Sequence, residues 1–148
     1  MKIIDKNKKA YFDYELEEKL EAGIVLAGSE VKSVKLGNVT LRDAFCFVDK
    51  GEIFLKNCYI APYEKGSAFE PEPRRDRKLL LHKQEVNKLI GKIKQKGFSL
   101  IPTMIYFSKN LVKVEIALGR GKKQHDKRES MKEKDVMREA ERAIKDYK

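Results

Sequence analysis

The sequence predicts a mainly β chain: a small antiparallel barrel with flanking helices and a basic C-terminal tail. Three observations lead there. Strand-like apolar runs outnumber helical ones along the 148 residues. Two pairs of those runs are separated only by the turn sequences DKG and SKN, which calls for hairpins and so for antiparallel neighbours. The last 29 residues carry 18 charges, too many to build a core.

The elements follow in order. From Phe12 to Leu26 the even positions read Phe, Tyr, Leu, Glu, Leu, Ala, Ile, Leu, while odd positions 13–21 are all charged. That alternation predicts one long strand with a buried face, although Leu16, Leu20 and Ile24 also fit a helical repeat of four. GSEVKSVKLG predicts a short helix, with Ser29 as cap, Val31 and Val34 on one face and Gly37 as a left-handed stop. VTLRDAFCFV and EIFLKNCYIA form the first hairpin, with Asp49 opposite Glu52. PYEKGSAFEPEPRRD, with three prolines and a glycine, is a loop. Val86, Leu89, Ile90 and Ile93 fall at i, i+3, i+4 and i+7, which predicts an amphipathic helix over 83–96. FSLIPTMIYF and LVKVEIAL make the second hairpin. Five or more antiparallel strands with so few helices fit an OB-like Greek-key barrel. The expected organisation is a body over 1–119 and a tail over 120–148, disordered when free and partly helical when bound.

Charge narrows the function classes. The formal net charge is +10, and it is local. Residues 74–96 hold nine Lys/Arg against Asp76 and Glu85, and residues 120–128 hold five against Asp126, so the remainder is nearly neutral. Such clustering is the footprint of a polyanion-binding protein. No apolar run approaches the roughly 18 residues a membrane span needs, and MKIIDKNKKAYF lacks the apolar stretch of a signal peptide. In the hairpin register above, Cys46 faces Leu55 rather than Cys58, so two free thiols and a cytoplasmic location are expected. No phosphate loop, nucleophile elbow, zinc spacing or base-paired carboxylates occur, so neither an enzyme nor a cofactor is expected.

The residues themselves offer two candidate sites. Arg74, Arg75, Arg77 and Lys78 lie together in the segment leading from the predicted loop to the predicted helix, and arginine forks suit phosphates and base faces. Lys88, Lys92 and Lys96 form a stripe opposite the apolar face of the predicted helix, which is more often the solvated side of a helix than a binding site. In the tail, His125 is a flat ring among Lys122, Lys123, Lys127 and Arg128, able to stack on a nucleobase while the cations hold phosphates. Tyr11, Tyr14, Phe45, Phe47, Tyr59 and Phe107 are aromatic candidates for stacking, with core packing the commoner fate of strand aromatics.

NKKAYFDYELEEKLEAGIVLAGSEVKSVK, RKLLLHKQEV and GRGKKQHDKRE, in that order along the chain, resemble the small protein B family (SmpB), whose members bind transfer-messenger RNA (tmRNA). The resemblance implies a non-enzymatic adaptor for trans-translation, the rescue of stalled ribosomes. Such an adaptor enters the ribosome with tmRNA and elongation factor Tu and places its tail in the empty messenger channel and the small-subunit decoding centre. It implies an RNA-binding body at Asn7, Lys8, Glu21 and Leu80, and a tail motif at Lys122, Lys123, His125, Asp126, Lys127 and Arg128. The alternative reading is a generic single-strand RNA-binding module of OB or ribosomal-protein type, which shares the basic barrel.

Overall fold

A computed structural model describes residues 1–63 and 71–121, the side chains of Gln95 and Lys96 excepted. Nine strands and three helices run in the order β1 (Lys2–Lys6), α1 (Lys8–Asp13), β2 (Tyr14–Ile24), α2 (Gly28–Lys35), β3 (Val39–Thr40), β4 (Phe45–Asp49), β5 (Glu52–Lys56), β6 (Tyr59–Ile60), β7 (Arg77–Leu80), α3 (Lys83–Lys96), β8 (Ser99–Ser108) and β9 (Leu111–Gly121). All strand pairs are antiparallel. The main sheet has the order β1-β8-β9-β2-β7-β5-β4, with β3 and β6 as a separate pair. The expected mainly β, OB-like architecture is therefore present. Its ladder stays open between the edge strands β1 and β4, although β4 packs beside β8.

Both hairpins close as the turn chemistry requires. Asp49 pairs with Glu52 across Lys50 and Gly51, and Ser108 pairs with Leu111 across Lys109 and Asn110. All four central residues have positive φ, the I′ geometry that matches strand twist. Cys46 pairs with Leu55, and both cysteines are free thiols. Burial pushes the Cys58 thiol up to about 12 and raises that of Cys46 as well.

The long strand begins later than its alternation suggests. Phe12 and Asp13 end α1 instead, because Asn7 caps that helix: its Oδ1 accepts from the Ala10 amide at 3.2 Å. β1, whose short mixed sequence carries no clear period, is fixed by pairing with β8 and by Asp5, which accepts from the Leu41 amide at 2.8 Å. The run VTLRDAFCFV is broken into β3 and β4, and EIFLKNCYIA into β5 and β6; the second break contains Asn57 in the left-handed region. In α2 the cap is Ala27 rather than Ser29, and Glu30 reaches back to accept the Ala27 amide at 2.9 Å. Gly37, at φ 83°, ends the helix as expected.

The core lies between the inner face of the sheet and the helices. Val34 of α2, Leu89 of α3, and Ile53, Leu55, Leu79, Ile105, Val114, Ile116 and Leu118 from the strands are all buried. An isolated 14-residue helix is marginal in water; burying Leu89, with Val86 and Ile93 packed beside it, is what holds α3. A bulge in β2 between Leu16 and Lys19 explains the one acid among the even positions. There Glu18 meets Lys92 at 2.9 Å and Lys88 at 3.4 Å on α3. Gly119 is required by close approach, since a Cβ would stand 2.8 Å from Ile101 and 3.0 Å from Leu16. β9 runs on to Gly121, so a body ending at 119 would cut inside a strand. Residues 122–148, which include every tail position named above from Lys122 onward, lie outside the described residues.

Candidate RNA interface

Strand alternation sorts the basic cluster of residues 74–78. In β7, Arg77 and Leu79 face inward while Lys78 and Leu80 face outward, since successive side chains point to opposite sides. Arg77 corrects the sequence expectation. It is fully buried, its Nη2 2.6 Å and its Nε 2.8 Å from Glu30 of α2, and its Nη1 donates to the Cys58 carbonyl at 2.7 Å. Arg75 donates to the other Glu30 oxygen at 2.6 Å. Burial pushes the Glu30 carboxyl up, but the hydrogen bonds from Arg75, the Ala27 amide and Arg77 outweigh it and hold the group below the ordinary range. These two arginines fasten α2 and the 71–76 segment to the sheet. Arg74 is exposed, 5.2 Å over the Tyr59 ring and 3.2 Å from Asn57 Oδ1. Lys78 reaches outward and pairs with Glu52 at 2.6 Å.

Of the body positions drawn from the family resemblance, Glu21 and Leu80 share the outer face of the sheet. Glu21 of β2 is exposed and opposes Glu115 of β9. The Tyr106 hydroxyl of β8 donates to one Glu21 oxygen, and Lys113 Nζ lies 4.0 Å from the other. Burial, then the neighbouring Glu21, keeps the Tyr106 phenol far above its ordinary value, so it remains a donor. Glu115 is occupied separately by the Thr103 hydroxyl at 2.6 Å. One pleat away, Leu80 pairs with Gly23, and a Cβ on Gly23 would be 3.3 Å from the Leu80 Cβ. With no side chain beneath it, Leu80 rests across β2 with half its surface exposed.

Asn7 is buried, against the expectation of an RNA contact. Its Nδ2 donates to the Pro102 carbonyl at 2.9 Å and its amide to the Thr103 carbonyl at 2.8 Å, so it docks α1 on β8. That docking presents Lys8, exposed at the first turn of α1. Beside α1, Lys9, Tyr14, Arg42 and Phe45 border a groove of about 200 Å³. Among the aromatic candidates, Phe45 and Tyr11 are exposed, whereas Phe107 packs against the core. Lys88 and Lys92 are engaged by Glu18, whose carboxyl the Lys92 hydrogen bond holds below its usual value.

Sequence reasoning missed Tyr106, Lys113 and Gly23. The second hairpin's two-residue turn, Lys109–Asn110, fixes Tyr106 opposite Lys113; taking all of SKN as the turn would shift that pairing by one residue, and the contact with Glu21 needed the β2–β9 register as well. Among the described residues no group of three or more His, Cys, Asp or Glu could hold a metal, and no helix is long and apolar enough to cross a membrane.

Residues 4–146 match the family model described as SmpB protein. The chain is 52% identical over 147 residues to the SsrA-binding protein of Caldicellulosiruptor bescii, covering 99% of this chain and 93% of that one. It is 50% identical over 145 residues to the SsrA-binding protein of Bacillus subtilis, covering 98% and 93%. A chain in a solved structure described as "tmRNA-SmpB: a journey to the center of the bacterial ribosome" matches with a TM-score of 0.67 and 48% identity, over 85% of this chain and 92% of that one.

Proposed function

From the premise that the chain belongs to the SmpB family, we propose that it is a tmRNA-binding adaptor for trans-translation, acting in the cytoplasm without catalysis of its own. The body binds the transfer-RNA-like part of tmRNA through the outer face of β2, β7 and β9, and the complex reaches the stalled ribosome with elongation factor Tu. The observation that carries this reading is Glu21: half exposed, yet aimed by the buried Tyr106 hydroxyl.

A carboxylate on a cationic protein repels phosphate, so its use there is discrimination. It accepts from a base N–H or a ribose 2′-hydroxyl, groups that bare charge does not read. Lys113 beside Glu21 and Lys8 on α1 supply the phosphate attraction, and Leu80 offers an apolar contact. Arg74 and Lys78 extend the cationic margin. Asn7 acts by positioning α1, and Arg75 and Arg77 by holding the frame.

The chain beyond β9, within the tail expected over 120–148, is the second contact, with Lys122, Lys123, His125, Asp126, Lys127 and Arg128 entering the empty messenger channel and decoding centre. A cationic extension suits a channel walled by ribosomal RNA, and messenger and tail compete for one space.

Binding of a folded transfer-RNA-like transcript, compared with an unstructured RNA of equal length at two salt concentrations, tests the reading. The adaptor prefers the folded domain at both; equal affinity for the two would overturn it. Alanine at Lys122, Lys123, Lys127 and Arg128 abolishes tagging of stalled chains while leaving binding intact, and parallel loss of both contradicts the division between body and tail.

A further inference from the structure

Beyond Lys78 of β7, the outward side of β5 and β4 carries a strip that the function above does not use. Phe54 of β5 pairs with Lys78 of β7 on one side and with Phe47 of β4 on the other. The two rings stack, 5.5 Å between centroids and 21° between planes. Lys56 Nζ lies 5.5 Å over the Phe47 ring, and Lys56 itself pairs with the exposed Phe45. None of the three rings belongs to the core, because the inward positions of this hairpin are Cys46, Ile53 and Leu55.

We infer that this strip is a stacking platform for unpaired nucleotides of the RNA whose folded part lies on the Glu21–Leu80 face. The inference rests on the proposed tmRNA-binding role. Three features favour RNA as the occupant. First, the strip is continuous with that face: Lys78 and Leu80 project from the same side of one strand, so a chain leaving Leu80 meets Phe54 next. Second, aromatic rings interleaved with lysines on a sheet surface offer a π-face to a base and an ammonium to its phosphate, the pairing used by sheet platforms for single strands; here the ammonium is that of Lys56, since Lys78 is paired with Glu52 on the same side. Third, a protein partner buries a patch whose centre is depleted of charge, whereas here Lys56 covers a ring and Lys78 adjoins one. Bases splayed from a loop suit the site, because a paired base hides both its faces in the helix stack.

The test uses the full chain and a folded transfer-RNA-like transcript carrying 2-aminopurine in its unpaired loop positions. Replacing both rings, Phe47→Leu with Phe54→Leu, keeps apolar volume but removes the aromatic faces. Affinity falls about tenfold and part of the bound-state fluorescence quenching is lost, while the salt dependence stays as in the parent. Phe47→Tyr with Phe54→Tyr restores both, which a purely structural role for the rings would not require. Lys56→Ala, an exposed change that leaves the hairpin's core untouched, lowers the salt slope by about one phosphate contact. Parental affinity and quenching in the Leu variant, with the parent still preferring the folded transcript, overturn the platform and leave the adaptor role standing. A parental salt slope in the Lys56 variant also overturns it. A parent with no preference for the folded transcript overturns the adaptor role itself, and the platform with it.

Discussion

Two glutamates of this protein have opposite settings. Glu30 is 4% exposed, with both oxygens bound by arginines and by a backbone amide. Glu21 has a 53% exposed side chain, with one oxygen oriented by a buried tyrosine and the other only loosely approached by a lysine. The first is saturated and has nothing to offer a ligand. The second is aimed and still has accepting capacity. A charge whose every lone pair is engaged inside the fold is architecture; a charge held in place but left wet is available for recognition.

The largest effect comes from breaking the saturated side. Glu30→Ala strands Arg77 as an unpaired buried cation, which costs about 3–5 kcal/mol. Urea unfolding reads this as a lower midpoint at an unchanged slope. A loss under 1 kcal/mol would mean that solvent reaches the clamp. The same carboxylate sets an acid limit. Because its folded value is depressed below the ordinary 4.5, its contribution is complete above that value and disappears as pH falls through the folded one. Stability measured from pH 6 down to pH 2 drops more shallowly in Glu30→Gln than in the parent.

On the open side the effects move from stability to binding. Glu21→Ala lowers affinity for the folded transfer-RNA-like transcript about tenfold, the worth of a hydrogen bond to a charged group, and shifts the unfolding midpoint little. Equal losses in both measurements would erase the distinction between the two glutamates. Tyr106→Phe keeps the ring but frees the carboxylate to rotate, so binding weakens by roughly threefold, well short of the full bond. Smallest is Glu18→Gln, which removes a surface pairing with Lys88 and Lys92. It costs under about 1 kcal/mol and less as salt is raised.

Much of the scaffold could be read from local pattern. Both hairpins were legible from their turn sequences, and the register of the first followed from Asp49 standing opposite Glu52; that of the second depended on Ser108 pairing with Leu111 rather than joining the turn. The spacing of Val86, Leu89 and Ile93 gave α3 because one apolar stripe was enough to define its buried side. β1 was not legible, since it is an edge strand whose partner lies about a hundred residues away. Nor was α1: Asn7 and Ala10 look like any polar and small residue until β8 is laid against them.

The candidate site divides the same way. That positive charge concentrates over 74–96 and beyond Arg120 was fixed by the chain itself; that Arg77 and Lys78 point to opposite sides followed only once β7 was seen to be a strand. Only the tertiary structure decided that α2 would cover the Arg77 side with Glu30 and leave the Lys78 side to solvent. It alone set Tyr106 against Glu21, 85 residues apart. Turn preference and periodicity are properties of neighbouring residues, so they are written locally. Burial is a property of whatever packs on top, and what packs here comes from distant parts of the chain.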